Sequence, residues 1–270
     1  MKKSFFILLM MDIFLLNSCT NTYYKTDKKL SKLYKKETSK YELPFILNFP
    51  NYKDKPVTRI KFGNKYFYML VDTGAPINIL FEKGCNKINL PTKTELECYV
   101  YENIKFYLDK EGKNLTDSVT VSQLDGILGL DYLKRFETVT FDYKNSQIKF
   151  NDKLLTLGTS FVYKRNHVCC DFIINNIKFS GLIDTGLNGF IFNDQVLINL
   201  NLDKNLSNFT FDGIKIAQQN YTNTKGKYYK NPNIKTNPKN PLHWINFLGF
   251  SFFKDHVLRI NFRNMKFEIE

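Results

Sequence analysis

The feature that most constrains this chain is that its body is written twice. Residues 66–81 run Tyr-Phe-Tyr-Met-Leu-Val-Asp-Thr-Gly-Ala-Pro-Ile-Asn-Ile-Leu-Phe, and residues 178–192 run Lys-Phe-Ser-Gly-Leu-Ile-Asp-Thr-Gly-Leu-Asn-Gly-Phe-Ile-Phe. Asp72-Thr73-Gly74 recurs as Asp184-Thr185-Gly186, 112 positions on, with an apolar pair before each triplet and an apolar run soon after. A second landmark follows in each copy. Ile127-Leu128-Gly129 leads into Leu130-Asp131-Tyr132-Leu133-Lys134, and Phe247-Leu248-Gly249 leads into Phe250-Ser251-Phe252-Phe253-Lys254. The second landmarks are 120 positions apart, so the later copy holds about 8 extra residues between its landmarks. A fixed order of features at a fixed spacing is the signature of one structural unit used twice.

The unit reads as strands. Phe62-Gly63-Asn64 and Ile174-Asn175-Asn176 are hairpin-turn signals placed just before each Asp-Thr-Gly strand. Each copy closes on two short strands, 138–143 with 147–150 and 257–262 with 265–269. The chain carries 25 Phe and 16 Tyr, residues that favour a pleated, half-buried surface. Helix candidates are confined to the turns after Gly129 and Gly249 and to 194–200. The expectation is an all-β protein with a first lobe over 42–152, a linker over 153–160 and a second lobe over 161–270. The Lys-, Asn-, Thr- and Pro-rich stretch 220–241 reads as a polar surface loop within the second lobe.

An apolar strand ending in Asp-Thr-Gly, present twice and followed each time by apolar-apolar-Gly, resembles the retroviral-protease-like (retropepsin-like) aspartic peptidases, here duplicated and fused. The resemblance covers most of residues 57–150 and 170–270. It implies two β-barrel lobes forming a pepsin-like pseudo-dimer with the cleft between them, and a single-chain monomer that cleaves peptide or protein substrates. Carried onto this sequence, it makes Asp72 and Asp184 the catalytic pair. Thr73 and Thr185 would bond across between the lobes, Gly74 and Gly186 would give room for close loop packing, and Gly129 and Gly249 would let the crossing segment approach. No cofactor and no metal is implied.

The chemistry of such a pair follows from electrostatics. Two carboxylates at ~3 Å cannot both ionise, so the pair holds one shared proton and titrates as a unit. The ionised member is a general base for a bridging water, and the protonated member polarises the scissile carbonyl. Ala75 and Leu187 follow the two glycines and offer no side-chain donor to the carboxylates, so activity is expected to reach mildly acid or near-neutral pH.

This sequence departs from the family pattern at several points. Pro76 and Asn188 stand where Ser or Thr is usual, and Ile245-Asn246 replaces the Asp125-Gly126 of the first copy. The family's flap hairpin carries Gly. Its first-copy candidate span, 89–101, has none, and its second-copy candidate lies within 203–230. These departures keep two other readings open: a non-catalytic peptide- or protein-binding lipoprotein on the same fold, and a structural lipoprotein.

The N-terminus carries a separate message. Met1-Lys2-Lys3 is followed by an apolar stretch from Phe5 to Leu16, broken at Asp12, and then Leu16-Asn17-Ser18-Cys19. The run is shorter than the ~20 residues of a spanning helix and reads as a signal peptide over 1–18. Its end resembles a bacterial lipoprotein box, which implies acylation of Cys19 by palmitate or a similar chain. A plain cleaved signal and an uncleaved anchor are the alternatives. Residues 19–41 then form a lipidated Cys and polar tether, and the protein is extracytoplasmic and membrane-anchored through Cys19. The formal charge of +13 raises a nucleic-acid partner. The basic residues are spread along the chain with acids between them and no nucleic-acid-binding motif accompanies them, so no nucleic acid is expected.

Five Cys are too few for a disulfide scaffold and have no zinc-finger spacing. A Cys85–Cys98 bridge stays open, and Cys169-Cys170 reads as half-buried strand. His167, His243 and His256 are scattered, and Trp244 reads as core.

Overall fold

The computed structural model describes residues 37–46, 49–50, 52–53, 55–90, 98–108, 123–164, 166–228 and 246–270. Outside them lie Cys19 with the whole signal segment, His243, Trp244, residues 91–97 of the first flap candidate and residues 229–241 of the polar excursion.

In chain order the first copy contributes β1 (Tyr41–Pro44), β2 (Val57–Phe62), β3 (Lys65–Val71) and β4 (Ile79–Leu80), then α1 (Glu82–Lys87). β5 (Cys98–Tyr101), β6 (Ile104–Leu108) and β7 (Gly126–Leu128) follow, then α2 (Leu130–Leu133), β8 (Thr138–Asp142) and β9 (Gln147–Phe150). The second copy begins with β10 (Thr159–Ser160), β11 (Val162–Lys164), β12 (His167–Ile174), β13 (Ile177–Asp184) and β14 (Phe190–Phe192), then α3 (Asp194–Asn199). It continues with β15 (Asn208–Phe211), β16 (Ile214–Ile216), β17 (Gln219–Tyr221), β18 (Thr224–Tyr228) and β19 (Asn246–Gly249). A 3-10 turn over Phe250–Phe252, β20 (Val257–Asn261) and β21 (Lys266–Ile269) complete it.

These strands make two curled, partly closed sheets and one sheet shared between the copies. The first curled sheet runs β2-β3-β7-β4-β6-β5, and the second runs β15-β18-β14-β19-β13-β12-β16-β17 with β11 on β12. Both use the same central pairing. β3 lies parallel to β7 and β7 antiparallel to β4, while β13 lies parallel to β19 and β19 antiparallel to β14. Each apolar-apolar-Gly strand is thereby set beside the strand that delivers Asp-Thr-Gly. The hairpin signals are used as turns: Phe62 pairs Lys65 and Ile174 pairs Ile177. Gly63, Asn175 and Asn176 take positive φ, as such tight turns require.

The shared sheet runs β1-β9-β8-β20-β21-β10. Both closing hairpins have left their own curled sheets and meet along β8 and β20, from Val257↔Asp142 to Asn261↔Thr138. The last two residues of the 153–160 linker are part of this sheet, since Thr159 and Ser160 pair with Phe267 and Lys266. One large core, including Phe67, Phe106, Phe141, Phe172, Phe190 and Phe267, runs through all three sheets. Each such buried ring is worth about 1.5–3 kcal/mol. A smaller apolar cluster stands apart, where Phe49 and Tyr52 cover Leu70, Ala75, Ile77, Ile79, Phe81 and Ile127.

Strands dominate, but the architecture is mixed, with short helices among them. Helices form after Gly129 and at 194–199, and the turn after Gly249 is 3-10. Asn193 caps α3 by accepting the Gln195 N–H. α1 lies outside the helix candidates of the sequence. The polar excursion is also revised, because residues 219–221 and 224–228 are paired strands. Thr224–Tyr228 alternates Lys225 and Lys227 outward with the buried Gly226 and Tyr228, a period-2 pattern that a Lys-rich composition conceals.

Candidate active site

β3 ends at Val71 and β13 at Asp184, so both Asp-Thr-Gly turns leave the C-terminal ends of equivalent strands. The crossing strands hold them from behind. Asp72 N–H donates to Leu128 O at 3.0 Å, Leu130 N–H to Ala75 O at 2.8 Å and Phe250 N–H to Leu187 O at 2.7 Å. The approach is close enough to require glycine. A Cβ on Gly129 would lie 2.2 Å from Ile77 O, and one on Gly249 would lie 2.5 Å from Gly189 O.

The two turns are locked to each other by reciprocal bonds. Thr73 N–H donates to Thr185 Oγ1 and Thr185 N–H to Thr73 Oγ1, each at 3.1 Å. The Thr73 hydroxyl then donates to Ile183 O at 2.7 Å, and the Thr185 hydroxyl to Val71 O at 2.9 Å. All four groups are buried, so each bond spares a desolvated polar atom as well as joining the halves.

This lock sets Asp72 and Asp184 against one another. A Cβ on Gly74 would come within 2.5 Å of the Asp184 carboxyl, and one on Gly186 within 2.4 Å of Asp72 Oδ2. Each glycine thus leaves the space that the opposite carboxyl fills. Asp72 is 3% exposed and Asp184 fully buried. Within its own turn Asp72 Oδ1 accepts Gly74 N–H at 2.7 Å. Asp184 Oδ1 accepts both Gly186 N–H at 3.0 Å and Leu187 N–H at 2.9 Å. Burial pushes the Asp72 carboxyl above its ordinary range. The Gly74 N–H, a hydrogen bond from the Asp184 side chain, the Lys55 ammonium and the Gly186 N–H oppose that rise.

Neighbouring groups outside the motifs also belong here. Lys55 is 4% exposed, and its Nζ donates to Gly186 O at 2.5 Å. Tyr143, buried beside Phe45, Phe141 and Phe250, has its phenol pushed far up by burial and by the charges of Asp72 and Asp184. Two buried asparagines hold the crossing strands. Asn78 Oδ1 accepts Gly129 N–H at 3.0 Å, while Asn246 bridges Asn193 N–H and Ser180 O. In the first copy Asp125 fills a comparable place, accepting Tyr68 N–H at 2.7 Å and Lys87 Nζ at 2.5 Å. Asn246 and Asp125 are visible in sequence as a departure between the copies, whereas Lys55, Asn78 and Tyr143 carry no motif.

The remaining candidates lie elsewhere. Cys169 and Cys170 are buried, unbridged thiols in β12, fully inside rather than half-buried. Burial pushes Cys169 up to about 11 and Cys170 further. Cys98 has a side chain outside the description, so the Cys85–Cys98 question falls there.

No family model matches this chain, and no curated protein matches it. Among solved structures, a retropepsin-like aspartic protease from Rickettsia conorii is a distant structural match. It has 16% sequence identity and a TM-score of 0.30, covering 41% of this chain and 89% of that one.

Proposed function

We propose that this chain is an aspartic endopeptidase, a single-chain pseudo-dimer in which each lobe supplies one carboxylate to a shared site. The observation that carries the reading is the mutual packing of Asp72 and Asp184, each against the glycine of the opposite turn. A buried like-charge pair destabilises a fold, and its expected use is chemical. With one proton between them, the ionised carboxylate takes a proton from a water held at the pair. The water oxygen attacks the scissile carbonyl, whose oxygen receives a hydrogen bond from the protonated partner. Collapse of the tetrahedral intermediate breaks the C–N bond as a proton passes to the leaving amine, which returns the pair to its single-proton state.

The test compares wild type with Asp72→Asn and Asp184→Asn on an unfolded mixed-protein substrate across about pH 3 to 7.5, a range that brackets a coupled carboxyl pair. New peptide ends are read by mass spectrometry. Cleavage by wild type that disappears in both variants is the expected result. A folded wild type that cleaves nothing at any pH overturns it in favour of peptide binding on the same fold.

The sequence also supports a second proposal, that Cys19 is acylated and anchors the protein outside the cytoplasm. Wild type should partition with membranes and incorporate labelled fatty acid, and Cys19→Ala should do neither.

A further inference from the structure

The approach to the first Asp-Thr-Gly strand carries a lysine where the second copy, 112 positions on, has the buried His167. Lys55-Pro56 immediately precedes β2, and Val71 N–H donates to Pro56 O at 3.0 Å, which holds Lys55 level with Asp72. The side chain is buried, crosses from the first copy to the second and places its Nζ 2.5 Å from Gly186 O. Gly186 is the residue whose missing Cβ makes room for Asp72 Oδ2. The ammonium therefore sits on the residue that packs against the Asp72 carboxyl and its charge acts on that carboxyl, held there by a backbone carbonyl and by the Tyr52 ring, whose centroid is 5.6 Å away. A buried ammonium is costly unless an anion answers it.

We infer that Lys55 is a positioning residue for the carboxyl pair: its buried ammonium, seated on the Gly186 carbonyl, is the counter-charge that holds the pair in its singly charged form and sets the pH range in which it works. This rests on the proposed peptidase reading. Among the described residues, the titratable groups facing Asp72 are Asp184 from the opposite turn, Lys55 from the segment before β2 and Tyr143 from the end of the shared sheet, while buried His167 opens β12 beside the strand that ends at Asp184. Tyr143 is neutral throughout the working range because its phenol is pushed far up, and the Lys55 ammonium is the positive charge that acts on Asp72. An adjacent cation favours the charged form of an acid, so both proton-loss steps of the pair occur at lower pH with Lys55 present.

The test uses the full 270-residue chain and the variants Lys55→Met, which keeps the length and removes the charge, and Lys55→Arg, which keeps the charge. In Lys55→Met the bell-shaped profile of kcat/KM should slide to higher pH by about one unit on both limbs, the scale of a nearby-charge effect. In Lys55→Arg both limbs should stay near those of wild type. A Lys55→Met profile superimposable on wild type overturns the inference, as does a Lys55→Arg profile displaced as far as that of Lys55→Met. Carboxyl titration followed by carbon-13 NMR gives a readout that does not need turnover, with Asp72→Asn identifying the resonance. The Asp72 titration should rise in Lys55→Met, and no change overturns the inference. Should wild type prove inactive while this titration moves, the peptidase reading fails and the role of Lys55 stands. Lys55→Gln carries the same comparison if Lys55→Met does not fold.

Discussion

The two Asp-Thr-Gly turns share a backbone frame and differ in what surrounds them. On the Asp184 side the carboxyl draws two N–H groups from its own turn, and the strand after it opens onto a cavity of about 420 Å³ lined in part by Asn188, Ile191, Phe209 and Lys225. On the Asp72 side the carboxyl draws one N–H from its own turn, and the corresponding face is covered by Phe49 and Tyr52, with Lys55 reaching across. The two turns therefore share what holds the carboxyls against each other, while their approaches diverge. The same division appears behind the turns, where Asp125 with Lys87 in one copy stands against Asn246 with Asn193 in the other.

The largest effect should come from the part kept identical. Asp72→Asn and Asp184→Asn should each reduce kcat/KM by about 10³-fold or more, because neither carboxyl can serve as both base and acid alone. Equal losses would mean that the halves are chemically equivalent in spite of their surroundings. Measurable cleavage left in one variant alone would assign the divergence a catalytic meaning.

Glycine substitutions separate fold from chemistry within the same comparison. Alanine at Gly129 or Gly249 meets backbone oxygens at 2.2–2.6 Å that are fixed by the crossing strand, and should cost about 3 kcal/mol or more in urea unfolding. Alanine at Gly74 or Gly186 meets a carboxyl side chain of the opposite turn, which can swing aside. Those variants should stay folded and lose cleavage. A Gly186→Ala variant that cleaves as wild type does would break the proposed geometry at its centre.

The threonine lock is a smaller effect. Thr73→Val leaves Ile183 O and Thr185 N–H unanswered, and Thr185→Val leaves Val71 O and Thr73 N–H unanswered. Each should cost about 2–4 kcal/mol. The double variant should cost clearly less than the sum of the two, since each hydroxyl loses a partner already disturbed by the other change. Simple additivity in a double-mutant cycle would show that the halves are joined chiefly by the shared sheet.

Much of this arrangement is legible in the sequence because it is local in pattern. Asp72-Thr73-Gly74 and its repeat, the apolar-apolar-Gly strands and the hairpin turns at Gly63 and Asn175 are each written within a few residues. What was not legible depends on distant contacts. Lys55 looks like one more surface lysine until it meets Gly186, 131 residues on. The helix Glu82–Lys87 has only 6 residues and carries Gly84, a poor helix former; its missing Cβ is needed because one would fall 2.3 Å from Asp125 O. The closing hairpins were readable as strands, yet their exchange into one shared sheet depends on the meeting of β8 with β20, which no local pattern encodes.

The gentlest way to sharpen the comparison is to read the carboxyl pair through stability. Asp72 has a folded-state carboxyl raised by burial, so near neutral pH the folded chain bears a cost that the unfolded chain does not. As pH falls through the raised value, the folded state takes up its proton before the unfolded state does, and stability rises until the ordinary carboxylate range is reached. Asp142 runs the other way. The Lys149 ammonium and Asn145 hold its carboxyl below the usual range against the desolvation that would lift it, so its contribution is lost as pH falls through that lower value. The two act in different windows, the Asp72 gain at mildly acid pH and the Asp142 loss in stronger acid. Thermal unfolding of wild type from neutral to mildly acid pH should therefore show a rising midpoint, and Asp72→Asn, which cannot charge, should flatten that rise. A variant whose midpoint climbs as steeply as that of wild type would place the titrating group elsewhere and remove the electrostatic basis for treating Asp72 and Asp184 as one coupled pair.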